Sequence, residues 1–149
     1  MRAVVQRTLR SSVTVDNTVI GAAGQGLTVL LGIGSDDSLA DVEYMAEKIT
    51  NLRIFHDDQG KMNCSLLDVG GEMLVISQFT LYGDCRKGRR PSFDRAARPE
   101  QAVPLYKQFI KLCAAKGIKV CEGQFQAEMI VSLDNHGPVT MLVDSKREF

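Results

Sequence analysis

The chain has 149 residues, 44% of them apolar and 24% charged, and a formal net charge of zero. That balance predicts one folded domain over residues 1–149 with a sizeable core, and argues against a disordered chain or one drawn as a whole to nucleic acid. No run of about 18 apolar residues offers a membrane span, so the sequence points to the cytoplasm and to no membrane partner.

The opening stretch, "MRAVVQRTLRSS", alternates apolar and polar residues. It is expected to be a first strand rather than a secretory signal. "AVVQR", "SVTVD" and "TVIG" predict three short strands, with a tight turn at Asp16–Asn17. "LTVLLGI" is continuously apolar and suits a central strand. In "SDDSLADVEYMAEKITNL", Asp36, Asp37 and Ser38 offer capping groups and negative charge. Leu39, Val42, Met45, Ala46, Ile49 and Leu52 follow at helical spacing. "RIFHDDQGKMN" predicts a short strand and a turn at Asp57–Gly60.

"EMLVISQFTL", residues 72–81, reads as one buried strand interrupted by Ser77, Gln78 and Thr80. Alternation puts Ile76, Gln78 and Thr80 on one face, and Ser77, Phe79 and Leu81 on the other. A polar cleft floor at the strand's end explains a Gln and a Thr side by side. Between Asp84 and Arg98 follow six basic residues (Arg86, Lys87, Arg89, Arg90, Arg95, Arg98) against two acids, in a Gly- and Pro-containing loop. Such a run either solvates a face or meets phosphate.

"RPEQAVPLYKQFIKLCAAKG" predicts a second helix with Ala102, Leu105, Phe109, Leu112 and Cys113 inward and Gly117 as its C-terminal cap. Pro104 is awkward within it. "IKVCEG", "MIVSL", a turn at "DNHG" and "PVTMLV" return the chain to β-structure. The element pattern predicts α/β architecture, with sheets packed against two main helices on one side.

Four cysteines without a CxxC pair and two histidines predict no metal site, and no motif implies a cofactor. Ser77 or Thr80 could act as a nucleophile with His56 or His136 as base, but neither lies in a nucleophile-elbow motif. His56 sits beside two aspartates in an apparent surface turn, and His136 adjoins a turn glycine. Acid–base catalysis by the protein itself looks under-equipped.

"SQFTL" (77–81) and "NHGPVT" (135–140) together resemble the two signature segments of the D-aminoacyl-tRNA deacylases. "VVQR", "RIFHDDQGKMN", "GRRPSF" and "FQAEMIVSLDNHGPVT" extend the likeness over almost the whole chain. The resemblance implies a homodimer with a β-rich, barrel-like core and active sites at the dimer interface, where a Gly-cisPro motif enters the partner's pocket. Gly137 and Pro138 would present carbonyls to the substrate's α-amino group, with Arg7 holding the dipeptide. Ser77, Gln78, Phe79 and Thr80 would form the catalytic segment around the terminal adenosine and the ester carbonyl. Met129, in the same matched stretch, is assigned to substrate binding.

The family's chemistry implies a carboxylic ester hydrolase that frees D-amino acid from tRNA, assisted by the tRNA 2′-hydroxyl. It rejects L-esters and is expected to accept glycine mischarged to tRNA for alanine. His136 falls where family members differ, so no catalytic histidine is implied. Two rivals are a nucleic-acid-binding module with an inactive pocket and a serine or threonine esterase of small substrates.

Overall fold

The computed structural model describes residues 1–149. Its first strand, β1 (Arg2–Val15), merges two of the predicted strands into one of 14 residues. A reversal with positive φ at Asp16 (47°) and Asn17 (62°) leads into β2 (Thr18–Ala23). Two successive left-handed residues match the right-handed twist of a hairpin, and Asp and Asn tolerate them better than most residues. The apolar run 27–33 becomes β3 (Gly26–Gly32).

Helix α1 (Leu39–Thr50) starts at Ser38, whose backbone N–H and hydroxyl both donate to Asp41. Val42, Met45, Ala46 and Ile49 form its buried stripe, whereas Leu39, expected in it, is exposed and Leu52 lies beyond the helix end. A two-strand ribbon, β4 (Phe55–His56) with β5 (Met62–Cys64), and a single-turn α2 (Leu66–Val69) lead to β6 (Glu72–Ser77).

The expected strand 72–81 is corrected at this point. β6 stops at Ser77, and Phe79–Tyr82 turn into a 3-10 helix. The alternating faces predicted for residues 77–81 therefore do not exist. The polar residues sit at and beyond the strand's end, where they need no partners inside the core.

Helix α3 (Pro99–Ala115) follows. Pro99 occupies a first-turn position that needs no N–H, whereas Pro104 lies inside the helix and removes one of its hydrogen bonds. Ala102, Phe109 and Cys113 are buried as predicted, joined by Tyr106, while Leu105 and Leu112 are only half-buried. Strands β7 (Val120–Glu122) and β8 (Ile130–Asp144) complete the chain.

Six strands make one sheet in the order β2-β1-β3-β6-β7, with β8 on the other flank of β1. β1 is antiparallel to β2, β3 and β8, whereas β3, β6 and β7 run parallel. The sheet curls until β2 nears β7: a Cβ on Gly21 would lie 2.7 Å from the Glu122 carbonyl oxygen. The result is a nearly closed barrel.

β6 is apolar throughout because both its faces are covered. Met73 and Val75 join the main core with α1 and α3, while Leu74 and Ile76 pack with Val13 and Ala23 in a second cluster. No helix is long and apolar enough to cross a membrane.

β8 is a continuous strand direction, not the strand–turn–strand predicted at "DNHG". Gln6 pairs with Thr140 and Thr8 with Asn135, so Arg7 alone stands opposite His136, Gly137, Pro138 and Val139. Four residues against one push this segment out of the ladder as a broad bulge.

Candidate active site

A cleft of about 680 Å³ opens where β6 ends. Ser77, Gln78 and Phe79 form one side, Phe93 to Ala102 another, and Phe125 to Val131 a third. Three predicted residues, Ser77, Gln78 and Phe79, thus meet Met129 in one place. Met129 is seated by the absence of a side chain beside it: a Cβ on Gly123 would lie 2.6 Å from its Sδ.

Thr80 does not line the cleft. It is exposed one step along the 3-10 turn, where its hydroxyl accepts a hydrogen bond from the Gln78 side-chain amide. The start of the turn has a chemical consequence. Gln78 N–H donates to the Leu31 carbonyl at 2.8 Å, but no backbone carbonyl accepts from the N–H of Phe79 or Thr80. The first amides of a helical turn lack intrahelical acceptors and can serve a developing negative charge.

The lining is mostly apolar, and Arg98 is its one charged residue. No carboxylate, histidine, lysine, cysteine or tyrosine takes part. Cys113, the most deeply buried thiol, packs in the core away from the cleft, and burial pushes its pKa up to about 12. The Tyr106 phenol is likewise raised by burial, and donates to the Val75 carbonyl at 2.8 Å.

The structure does not bring Arg7, Gly137 and Pro138 into this cleft. Gly137 and Pro138 are exposed on the β8 bulge, joined by a cis peptide bond. Arg7 is buried beneath them, its Nε donating to the His136 carbonyl at 3.2 Å and its Nη1 to the Ile54 carbonyl at 2.6 Å. His56 and His136 both lie outside the cleft lining.

Two contributors escaped sequence reasoning. Phe93 packs edge-to-face on Phe79 with ring centroids 5.1 Å apart, so the basic loop also supplies an aromatic wall. The signal was an aromatic within "GRRPSF". Asn135 braces the bulge, donating to the carbonyls of Arg7 (3.1 Å) and Val139 (2.9 Å).

Comparison with known proteins finds relatives along the whole chain. The D-aminoacyl-tRNA deacylases of Clostridioides difficile (strain 630) and Koribacter versatilis (strain Ellin345) are 60% and 59% identical over 149 residues, covering each chain completely. A solved structure named c-Myc DNA Unwinding Element Binding Protein superposes with a TM-score of 0.91 at 41% identity, covering 97% of this chain and 98% of its own. A probable eukaryotic D-amino acid tRNA deacylase shares the fold, with a TM-score of 0.83 at 18% identity over 95% of this chain and 97% of its own. The sequence pattern of the family described as D-Tyr-tRNA(Tyr) deacylase matches residues 4–144, and the chain belongs to that family.

Proposed function

We propose that the chain hydrolyses the ester of D-aminoacyl-tRNA, with the substrate itself supplying the proton-transfer group that the cleft lacks. The family match and the full-length relatives support the deacylation. The observation that carries the finer reading is the lining of the cleft: hydroxyl, amide and apolar groups with one arginine, and no side chain suited to act as a general base.

In this reading the terminal ribose 2′-hydroxyl assists water in attacking the ester carbonyl. A bond forms from the water oxygen to that carbon, and the bond to the tRNA 3′-oxygen breaks. The departing oxygen takes up a proton, leaving D-amino acid and tRNA. The free amide of Phe79 receives the transient oxyanion, Ser77 and Gln78 orient the ester, and Met129 with Phe79 and Phe93 encloses the adenosine. Positioning and preorganised donors of this kind each supply several kcal/mol.

Chirality is read by a second copy of the chain, whose Gly137 and Pro138 carbonyls hold the α-amino group. Two features support this. The dipeptide stands exposed, outside the cleft of its own chain. β8 pairs only with β1, leaving an open edge flanked by Ile130 and Leu142, which are 66% and 64% exposed. With the amino group fixed, a D-side chain points to solvent and an L-side chain into the wall. Glycine, having none, passes, so glycyl-tRNA for alanine is a substrate. The cytoplasm is the compartment this reading implies.

The test is release of amino acid from D-tyrosyl-tRNA and L-tyrosyl-tRNA, with and without chelator, alongside sedimentation of the protein. Fast, chelator-insensitive release from the D-ester alone by a dimer is expected. No release from either ester by folded dimer would leave a nucleic-acid-binding module instead.

A further inference from the structure

The basic loop has two parts with different surroundings. Asp84 and Ser92 exchange backbone hydrogen bonds of 2.7 and 3.1 Å, which closes residues 85–91 into a tongue. Its base is anchored: Ser35 N–H donates to the Arg95 carbonyl and Ala97 N–H to the Ile33 carbonyl, each at 2.9 Å. That base also forms a wall of the cleft through Phe93 and Arg98. The tip stands in open space, every residue from Cys85 to Pro91 being exposed and nothing lying within 4 Å of a Cβ placed on Gly88.

Of the six cations, two are held in ion pairs. Arg86 is paired with Asp84 at 2.6 Å and Arg95 with Glu148 at 2.6 Å. Asp94, the remaining acid of the loop, accepts from the Ser92 hydroxyl at 2.6 Å. Lys87, Arg89 and Arg90 at the tip have neither an ion pair nor a side-chain hydrogen bond, so three positive charges stand together without compensation. Of the other exposed cations left so, Arg98 stands in the cleft wall, and Lys48, Lys61, Lys111 and Arg147 are scattered singly over the chain.

We propose that this tongue is the RNA-backbone contact of the protein: Lys87, Arg89 and Arg90 take phosphates, and Arg98 links them to the cleft. The proposal rests on the aminoacyl-tRNA reading of the cleft. An RNA whose 3′-terminal nucleoside lies between Phe79, Phe93 and Met129 has the wall that carries the tongue beside it. Unpaired guanidinium and ammonium groups release counterions from a polyanion without breaking contacts of their own. The aromatic pair at the base adds the stacking surface that single-stranded ends use.

The test compares wild type with the triple variant Lys87→Ala/Arg89→Ala/Arg90→Ala, using uncharged tRNA and a titration of salt. The triple variant is expected to bind about tenfold or more weakly at low salt, and its slope of log affinity against log salt to be shallower by about 2 units. The control Lys48→Ala/Lys111→Ala, which removes two scattered cations, is expected to leave the slope unchanged. In turnover, kcat/KM is expected to fall far more on D-aminoacyl-tRNA than on a D-aminoacyl ester of adenosine alone. An unchanged slope in the triple variant, or equal losses on the long and short esters, would overturn the proposal. Binding needs no turnover: tongue-dependent binding by a wild type that releases no D-amino acid would sustain this inference and sink the deacylase reading.

Discussion

Arg7 ties the Gly137 bulge to the body of the protein: its Nε donates to the His136 carbonyl at 3.2 Å while its Nη1 holds the Ile54 carbonyl at 2.6 Å. The guanidinium is the right group for this, since it donates in two fixed directions from one plane. With Arg7 buried, Arg7→Met leaves both carbonyls without these charged donors. A loss of about 3–6 kcal/mol is expected, because the two hydrogen bonds to this charged group are worth roughly 1.5–3 kcal/mol each. Arg7→Lys should recover part of that stability, yet still loosen the bulge and blur D-over-L selection. Urea unfolding and paired D- and L-ester assays read the two effects separately, and unaltered selectivity in Arg7→Lys would deny Arg7 its positioning role.

Gly123 sets the depth of the cleft through Met129. A Cβ there meets Met129 Sδ at 2.6 Å and Ile76 Cδ1 at 3.2 Å, so Gly123→Ala must displace the methionine. Ile76 is buried in the second core cluster and has little room to yield. KM for D-aminoacyl-tRNA is expected to rise about tenfold, the size of a 1–2 kcal/mol overpacking penalty. Adding Met129→Ala should restore much of it, and a double variant no better than the single one would show that Met129 is not the affected group.

Much of this was legible in the sequence, for local reasons. The α1 stripe follows helical spacing, the Asp16–Asn17 turn carries residues that tolerate positive φ, and β3 reads as a buried run. The errors share a cause. At 72–81 the apolar pattern continues after the strand has ended, because Phe79, Leu81 and Tyr82 pack from a 3-10 turn rather than from a ladder. At 134–137 turn residues suggested a reversal, but pairing with β1 on both sides keeps the strand's direction, and the extra residues go into the bulge. The site was legible as two short segments, and only the fold shows that they lie apart within one chain. Phe93 was missed because an aromatic inside a charged loop declares itself only when the loop folds against Phe79.

Acid should act on the junction between α1 and the end of β8. The Asp41 carboxylate loses solvation on burial, but hydrogen bonds from Lys146, Ser145 and Ser38 outweigh that and hold its pKa well below the ordinary value of 3.8. Ser145 Oγ donates at 2.7 Å and Lys146 Nζ at 3.0 Å. A carboxylate with a depressed folded pKa contributes stability that is complete above the unfolded value, and loses it as pH falls through the folded one. Urea midpoints of wild type and Asp41→Asn should therefore differ by a constant amount from pH 7 to about 5. The gap should narrow as pH drops below 3.8. A gap that widens towards acid would reverse the sign argued here.

Thr80 and the substrate's 2′-hydroxyl make opposite predictions about where the chemistry resides. The Thr80 hydroxyl lies outside the cleft lining, engaged with Gln78, and no histidine stands in the cleft to activate it. Thr80→Ala removes one polar contact and leaves the backbone amide in place, so kcat is expected to fall by less than about tenfold, the worth of one hydrogen bond. Loss of a true nucleophile costs far more, about 10⁴-fold to 10⁶-fold. Replacing the terminal 2′-hydroxyl of the tRNA by hydrogen should instead reduce kcat by about 10²-fold to 10⁴-fold, the scale of a missing acid–base group. Single-turnover rates on the two tRNAs with both proteins decide the matter. A dead Thr80→Ala with a fully active deoxy substrate would make the protein a threonine esterase, whereas the reverse places the catalytic hydroxyl on the RNA.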